Sequence, residues 1–150
     1  MKIALIGYGK MGKIIERLAI ARGHEIVSIY NSQKPFKENE ECTADVAIEF
    51  TRPDTVVDHI KTAIGQKLPI VVGTTAWSKS QEEIFELVSQ TQGSLLYASN
   101  FSVGVNIFQQ LTEKLAQLIE SQAQYTLRIE ETHHLQKLDA PSGTAVTLAE

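Results

Sequence analysis

Cysteine is nearly missing from the sequence: Cys42 is the single one among 150 residues. One thiol cannot close an internal disulfide, so a reducing compartment is the simple expectation. With no histidine or second cysteine near it in sequence, Cys42 reads as an incidental, partly buried thiol. Long apolar runs are lacking too, since none approaches the roughly 18 residues that a membrane-spanning helix needs. The opening "MKIALIGYGKMG" carries a lysine and an apolar run of only about four residues, against roughly 7–15 in a signal peptide. There is also no excess of positive charge. Lys and Arg number 14 against 18 Asp and Glu, a net charge of −4, and no basic run stands out. That argues against nucleic acid or an anionic membrane as the main partner. A cytoplasmic protein is expected, without nucleic-acid or membrane partners. No repeat or low-complexity tract is visible.

What is present is ordinary for a globular chain, 43% hydrophobic and 21% charged, and its patterning alternates. "KIALI" is a short β-favouring run, and "KMGKIIERLAIARG" places Ile14, Ile15, Leu18 and Ala19 at helical spacing before a stop at Gly23. "HEIVSIY" reads as a second strand, the polar "NSQKPFKENEECTA" as a loop, and "DVAIEF" as a third strand. A helix is expected from "TRPDTVVDHIKTAIGQ", with Thr51 as cap and Pro53 in the first turn. "LPIVVG" and "SLLYAS" are the fourth and fifth strands, separated by "SKSQEEIFELVSQTQG", a helix capped at Ser78 or Ser80. The longest helix lies in "VGVNIFQQLTEKLAQLIESQ", with Ile107, Leu111, Leu115 and Leu118 on one stripe.

This repetition of βαβ units predicts an α/β fold, a Rossmann-type doubly wound parallel sheet with helices on both faces. After it the rhythm changes. "AQYTLRIEETHH" alternates Tyr125, Leu127 and Ile129 against Thr126, Arg128 and Glu130, the pattern of a half-exposed strand. We place one domain at 1–122 and the start of a second, α+β domain at 123–150. The chain stops inside a helix that has just opened at Ser142 or Thr144, so it is expected to be the front part of something longer.

Two features carry chemistry. "LIGYGKMG" sets Gly7, Gly9 and Gly12 in a G-x-G-x-x-G pattern, directly after a strand and opening a helix, the context a dinucleotide pyrophosphate requires. Phosphates would rest on the unpaired N–H groups of the helix start. At the end of the second strand, where an acidic residue would hold a ribose hydroxyl, stands Asn31, which neither requires a 2′-hydroxyl nor repels a 2′-phosphate. Weak discrimination between NADH and NADPH is expected. Further strand ends carry "EFTRP", "VGTTAW" and "ASNFSVGVN". There Gly73 allows close approach of a flat ring, and Thr74 and Thr75 offer hydroxyls. Phe50 and Phe101 could pack on a base or nicotinamide, and Asn100 can bond an amide.

The second feature is "EETHHLQKLDAPSGTA" (130–145). It holds His133, His134 and Lys137 with a small-residue turn that starts a helix. Histidine suits proton transfer near neutrality, lysine can hold a carboxylate, and the turn offers N–H groups and hydroxyls to an anion. No recognised metal-ligand spacing occurs, so no metal is expected.

Taken together, "GYGKMG", "EFTRPD", "VVGTT", "ASNFSVGVN" and above all the 130–145 segment closely resemble the 4-hydroxy-tetrahydrodipicolinate (dihydrodipicolinate) reductases of lysine and diaminopimelate biosynthesis. The resemblance spans essentially the whole chain. It implies an oxidoreductase that reduces a cyclic dicarboxylate with NADH or NADPH, usually as a homotetramer, with a dinucleotide-binding domain at 1–122 and the start of an α+β substrate and oligomerisation domain at 123–150. It also implies His133 as acid–base group and Lys137 as proton donor, with His134, Gly143 and Thr144 on the substrate. The cofactor would be held by Gly7, Tyr8, Gly9, Lys10, Met11 and Gly12, by Asn31, Phe50 and Thr51, and by Gly73–Thr75 and Ala98, Ser99, Asn100 and Phe101. Another dehydrogenase of a small amino or hydroxy acid, or a non-catalytic dinucleotide-sensing module, would share the glycine loop. The first should not need the H-H-x-x-K and S-G-T elements together, and the second would turn over nothing.

Overall fold

In the computed structural model of the chain, residues 1–38, 42–133, 135 and 140–149 are described. His134 and Lys137, singled out above, lie outside the described residues. By packing, the described chain forms two compact units, Met1–Ala98 and Ser99–Glu150.

The first unit alternates strand and helix as the patterning predicts: β1 (Lys2–Ile6), α1 (Lys10–Ala21), β2 (Glu25–Tyr30), β3 (Val46–Glu49), α2 (Val56–Gly65), β4 (Ile70–Val72), α3 (Gln81–Thr91) and β5 (Leu95–Tyr97). A single 3₁₀ turn, Ser78–Ser80, precedes α3. The five strands form one sheet in the order β2-β1-β3-β4-β5, and every neighbouring pair is parallel. A parallel sheet needs cover on both faces, and strand alternation provides two. Ala4, Ile6, Ala47, Ile70 and Val72 pack with Val56, Ile60, Ala63 and Ile64 of α2 and Ile84 of α3. The residues between them, Ile3 and Leu5, with Val46 and Ile48, pack with Ile15 and Ala19 of α1. Positions 47 and 49 of β3 therefore share the α2 side, which is why Glu49, at the strand's end, is fully buried.

Two local readings change. Thr51 does not cap α2, which starts at Val56 with Thr55 at the cap position. The intervening residues turn back instead, with the Thr55 and Val56 N–H groups each donating to the Arg52 carbonyl at 3.1 Å. The Thr51 hydroxyl is thereby left for side-chain partners. In the second unit, α4 (Val103–Ile119) is capped by Ser102, whose hydroxyl accepts from the Val105 N–H at 3.4 Å. It packs against α5 (Gly143–Ala149), and its stripe of Ile107, Leu111, Leu115 and Leu118 is exposed. The alternating segment around Tyr125, Leu127 and Ile129 is exposed and forms no ladder. A strand is stabilised by cross-strand pairing, and among the described residues none pairs with it. Sequence reading assigns α4 to the dinucleotide-binding domain, whereas by packing it belongs to the second unit. Among the described residues, no helix is long and apolar enough to cross a membrane.

Candidate functional site

β1 pairs with β2 on one side and β3 on the other, so the chain direction of connection switches between β1 and β3. In open α/β sheets ligands bind outside the carboxyl ends of the strands at that switch. The turns that leave β1, β3 and β4 meet there in a cleft of about 360 Å³. It is lined by Gly9, Lys10, Met11, Phe50, Thr51, Pro53, Gly73, Thr74 and Thr75. Eight of these nine are cofactor candidates from the sequence, Pro53 being the exception. A wider depression of about 610 Å³ lies along the outer face of α3, around Gln81, Glu82, Phe85 and Ser89. Among the described residues its lining has neither glycine nor cation.

The glycines differ in what they do. Gly7 has φ +95°, and a Cβ there would come within 2.1 Å of the Phe50 carbonyl oxygen. Its N–H donates to the Tyr30 carbonyl at 3.0 Å, which locks the turn onto the end of β2. At Gly12 a Cβ would stand 2.3 Å from the Gly7 carbonyl oxygen. Those two glycines serve the turn itself. Among the described residues, a Cβ on Gly9 would meet nothing within 4 Å: its missing side chain leaves open space in front of the first turn of α1. The N–H groups of that turn have no partner within the helix. An anionic group fits there by both space and charge.

Phe50 joins the other two turns. Its N–H donates to the Ile6 carbonyl at 2.8 Å, its carbonyl faces Gly7, and its ring lies where a Cβ on Gly73 would be, 2.2 Å from two ring carbons. The flat ring that Gly73 admits is thus that of Phe50. The Thr51 N–H donates to Thr74 Oγ1 at 2.7 Å. Trp77, the chain's one tryptophan, donates from Nε1 to the Thr74 carbonyl at 2.9 Å and is buried.

Behind the cleft lies a polar cluster that the sequence reading passed over. The Thr51 hydroxyl donates to Glu49 Oε1 and lies 3.1 Å from Thr55 Oγ1. His59 Nδ1, on α2, is 3.3 Å from Glu49 Oε1 and 3.4 Å from the Thr51 hydroxyl. Glu49 Oε2 is buried with no partner among the described residues. A signal was available: a glutamate closing a run whose alternate positions face a helix, with a histidine ten residues further along that helix.

The remaining cofactor candidates are engaged locally. Asn31 Oδ1 accepts from the N–H groups of Gln33 and Lys34 at 2.9 and 3.0 Å, which leaves its NH₂ end for a ligand. Tyr8 donates to Glu16 Oε2; that bond, with some burial and the negative charge of Glu16, raises the phenol pKa. Ala98 donates to the Val72 carbonyl at 3.3 Å. Ser99, Asn100 and Phe101 belong to the second unit, where Asn100 Oδ1 accepts from the Ser102 N–H at 2.9 Å.

In the second unit, one carboxylate organises the histidine segment. Glu131 Oε2 lies 2.8 Å from His133 Nε2 and accepts from the Ser142 hydroxyl at 2.5 Å, while Oε1 accepts from the Ser142 N–H at 2.8 Å. The Ser142 hydroxyl in turn accepts from the Ala145 N–H at 3.0 Å, so Ser142, not Thr144, caps α5. The Ser142 hydroxyl foremost, then His133 and the Ser142 N–H, bring the Glu131 pKa down to about 2. His133 is thereby tied to the turn that carries Gly143 and Thr144. Sequence reading missed Glu131, although its place two residues before His133 was visible.

A parallel doubly wound sheet with a glycine-lined cleft at its switch point defines the class of nucleotide-binding α/β proteins. Within that class, residues 1–101 match the family described as dihydrodipicolinate reductase, N-terminus, and residues 104–150 match the corresponding C-terminus. The chain belongs to the dihydrodipicolinate reductase family. Along all of its length it is 42% identical to the 4-hydroxy-tetrahydrodipicolinate reductase of Christiangramia forsetii, of which it covers 63%. It is 36% identical to that of Staphylococcus carnosus, covering 99% of this chain and 62% of that protein. The chain therefore spans somewhat under two thirds of the length of these relatives. A solved structure of dipicolinate-bound dihydrodipicolinate reductase from Paenisporosarcina sp. TG-14 shares the fold. Its TM-score is 0.73 at 24% identity, over 99% of this chain and 64% of that one.

Proposed function

We propose that the chain supplies the dinucleotide-binding domain, residues 1–122, and the beginning of the substrate domain, residues 123–150, of a 4-hydroxy-tetrahydrodipicolinate reductase. On this reading it is a cytoplasmic oxidoreductase of lysine and diaminopimelate biosynthesis that works as a homotetramer on a cyclic dicarboxylate. The observation that carries the reading is the cleft where the β1, β3 and β4 turns converge, with Gly9 open in front of the first turn of α1.

NADH or NADPH, when bound, supplies the hydride for a conjugated double bond of the substrate. The chain's residues do the rest. The first-turn N–H groups of α1 receive the pyrophosphate, and Phe50, Thr51, Gly73, Thr74 and Thr75 form the wall beside it. Asn31 faces the ribose with an amide, which accepts either a hydroxyl or a phosphate at that position. His133 has Nε2 directed at Glu131, so Nδ1 is the ring nitrogen left for proton exchange with the substrate. Lys137 is assigned the proton-donor role and His134, Gly143 and Thr144 the substrate carboxylates, on the likeness of the segment alone.

The test is a titration of the chain with NADH and with NADPH, read as loss of Trp77 emission through energy transfer. Both are expected to bind, with affinities within about tenfold of each other, since a neutral amide separates them by no more than roughly one hydrogen bond. Addition of the cyclic dicarboxylate should then consume the reduced cofactor. Binding without consumption would favour a dinucleotide-sensing module, and no binding would remove the reading altogether.

A further inference from the structure

Glu49 and His59 take no part in the proposed chemistry and are not among the described residues that line the cleft, yet with Thr51 they form a cluster at the end of β3 beneath it. Glu49 is 0% exposed, and the imidazole of His59 comes to it from α2 with its side chain 15% exposed. A buried carboxyl group is costly unless hydrogen bonds compensate it. Here the compensation comes from the two elements whose spacing the cleft depends on. The Thr51 hydroxyl belongs to the turn after β3, and His59 to the helix behind that turn.

The turn has two outward connections. Its Thr51 N–H reaches Thr74 Oγ1 in the turn after β4. Its Phe50 carbonyl and ring fill the places that side chains on Gly7 and Gly73 would occupy. A shift of the Phe50–Thr51 peptide would therefore be felt on both sides of the cleft.

We propose that Glu49 and His59 are positioning residues for the dinucleotide: through the Thr51 hydroxyl they hold the Phe50–Thr51 turn at the height at which the cleft accepts its cofactor. The proposal rests on the dinucleotide reading of the cleft. His59 is the decisive position, because it is not among the described residues that line the cleft and its described hydrogen bonds run to Glu49 and Thr51. His59→Leu removes the Nδ1 contact, whereas His59→Asn returns a side-chain nitrogen near the place of Nδ1.

The experiment is NADH titration of the chain by Trp77 emission, with wild type, His59→Leu, His59→Asn and, as a control on the same helix, Lys61→Ala. Lys61 makes an exposed ion pair with Glu83 at 2.6 Å and has no link to the cluster. We expect His59→Leu to weaken NADH roughly tenfold, the equivalent of one lost anchoring hydrogen bond. His59→Asn should recover most of that loss, and Lys61→Ala should bind as wild type. Hydrogen exchange of the Thr51 amide in the cofactor-free chain gives a second reading: protection should fall in His59→Leu and return in His59→Asn. A residue that merely adds stability would change the thermal midpoint but not NADH affinity well below it. Wild-type binding with unchanged affinity in a folded His59→Leu chain overturns the positioning role alone. Failure of the wild type to bind NADH removes the dinucleotide reading, and this proposal with it.

Discussion

The cleft at the β1/β3 switch and the Glu131–His133–Ser142 segment are organised in opposite ways. The cleft is preformed by backbone. Gly7, Gly12 and Gly73 exist so that carbonyls and a ring can close in, and its turns are bonded to the sheet or to one another. The histidine segment is held by side chains, three contacts converging on one carboxylate, with His133 itself exposed. A site that receives an anionic pyrophosphate profits from fixed amides. A proton-transferring histidine needs an oriented ring with one nitrogen to spare. Backbone construction resists most side-chain changes but fails outright at its glycines, while side-chain construction fails in proportion to the bonds removed.

The largest effect expected from this contrast is one the cleft should not feel. On the reductase reading proposed above, His133→Ala in the complete enzyme should lower turnover of the cyclic dicarboxylate by about 10²–10⁴, the usual range for a lost acid–base group, and leave NADH affinity as in wild type. Steady-state rates together with the Trp77 titration check both halves. A parallel loss of NADH affinity would show that the two regions are not separable, and near-normal turnover would remove the catalytic assignment.

Next in size is a comparison inside the cleft. Gly7→Ala puts a Cβ 2.1 Å from a carbonyl oxygen at φ +95°, so the turn must break. Thermal denaturation should show a loss of about 3 kcal/mol or more, with strain and collision acting together. Gly9→Ala meets nothing within 4 Å and should leave the thermal midpoint nearly unchanged. Its methyl group enters the space assigned to the pyrophosphate, so NADH affinity should drop by one to two orders of magnitude, about 1.4 kcal/mol for each. Equal behaviour of the two variants would erase the distinction between a glycine that serves the turn and one that serves the ligand.

How much of this was legible beforehand follows the same division. The five strands and the glycine turn could be read because period, turn chemistry and context agree within each of them. The cleft residues could be read because they sit at strand ends, where a parallel sheet places ligands. Glu49 and Glu131 were not read. Each lies at a position where a local pattern has a plainer meaning, the end of an apolar strand or a pair of surface acids, and each has one partner, His59 or Ser142, that lies ten or eleven residues further along the sequence. Thr51 was misread as a helix cap because a threonine two residues before a proline fits that role locally, and only the tertiary position of Glu49 diverts its hydroxyl. The strand around Tyr125–Ile129 has the right alternation, but alternation specifies a face and not a neighbour.

The smallest effect is a titration, and it bears on the side-chain half of the comparison. Glu131 has a folded pKa of about 2 against an ordinary 4.5. A depressed carboxyl pKa means that the folded arrangement binds the ionised form preferentially, so the stabilisation is complete above pH 4.5. It is lost as the pH falls from there through about 2, because protonation removes an acceptor from Ser142 and His133. Between those limits the carboxyl carbon of Glu131, followed by NMR, should stay at its ionised shift while exposed glutamates titrate. Protection of the Ser142 amide should then collapse together with the Glu131 titration. Ser142→Ala removes the foremost of the three contacts, so the Glu131 midpoint should move up toward 4.5 while NADH affinity is untouched. A Glu131 midpoint at the ordinary value in the wild type would mean that the segment is not held by this carboxylate.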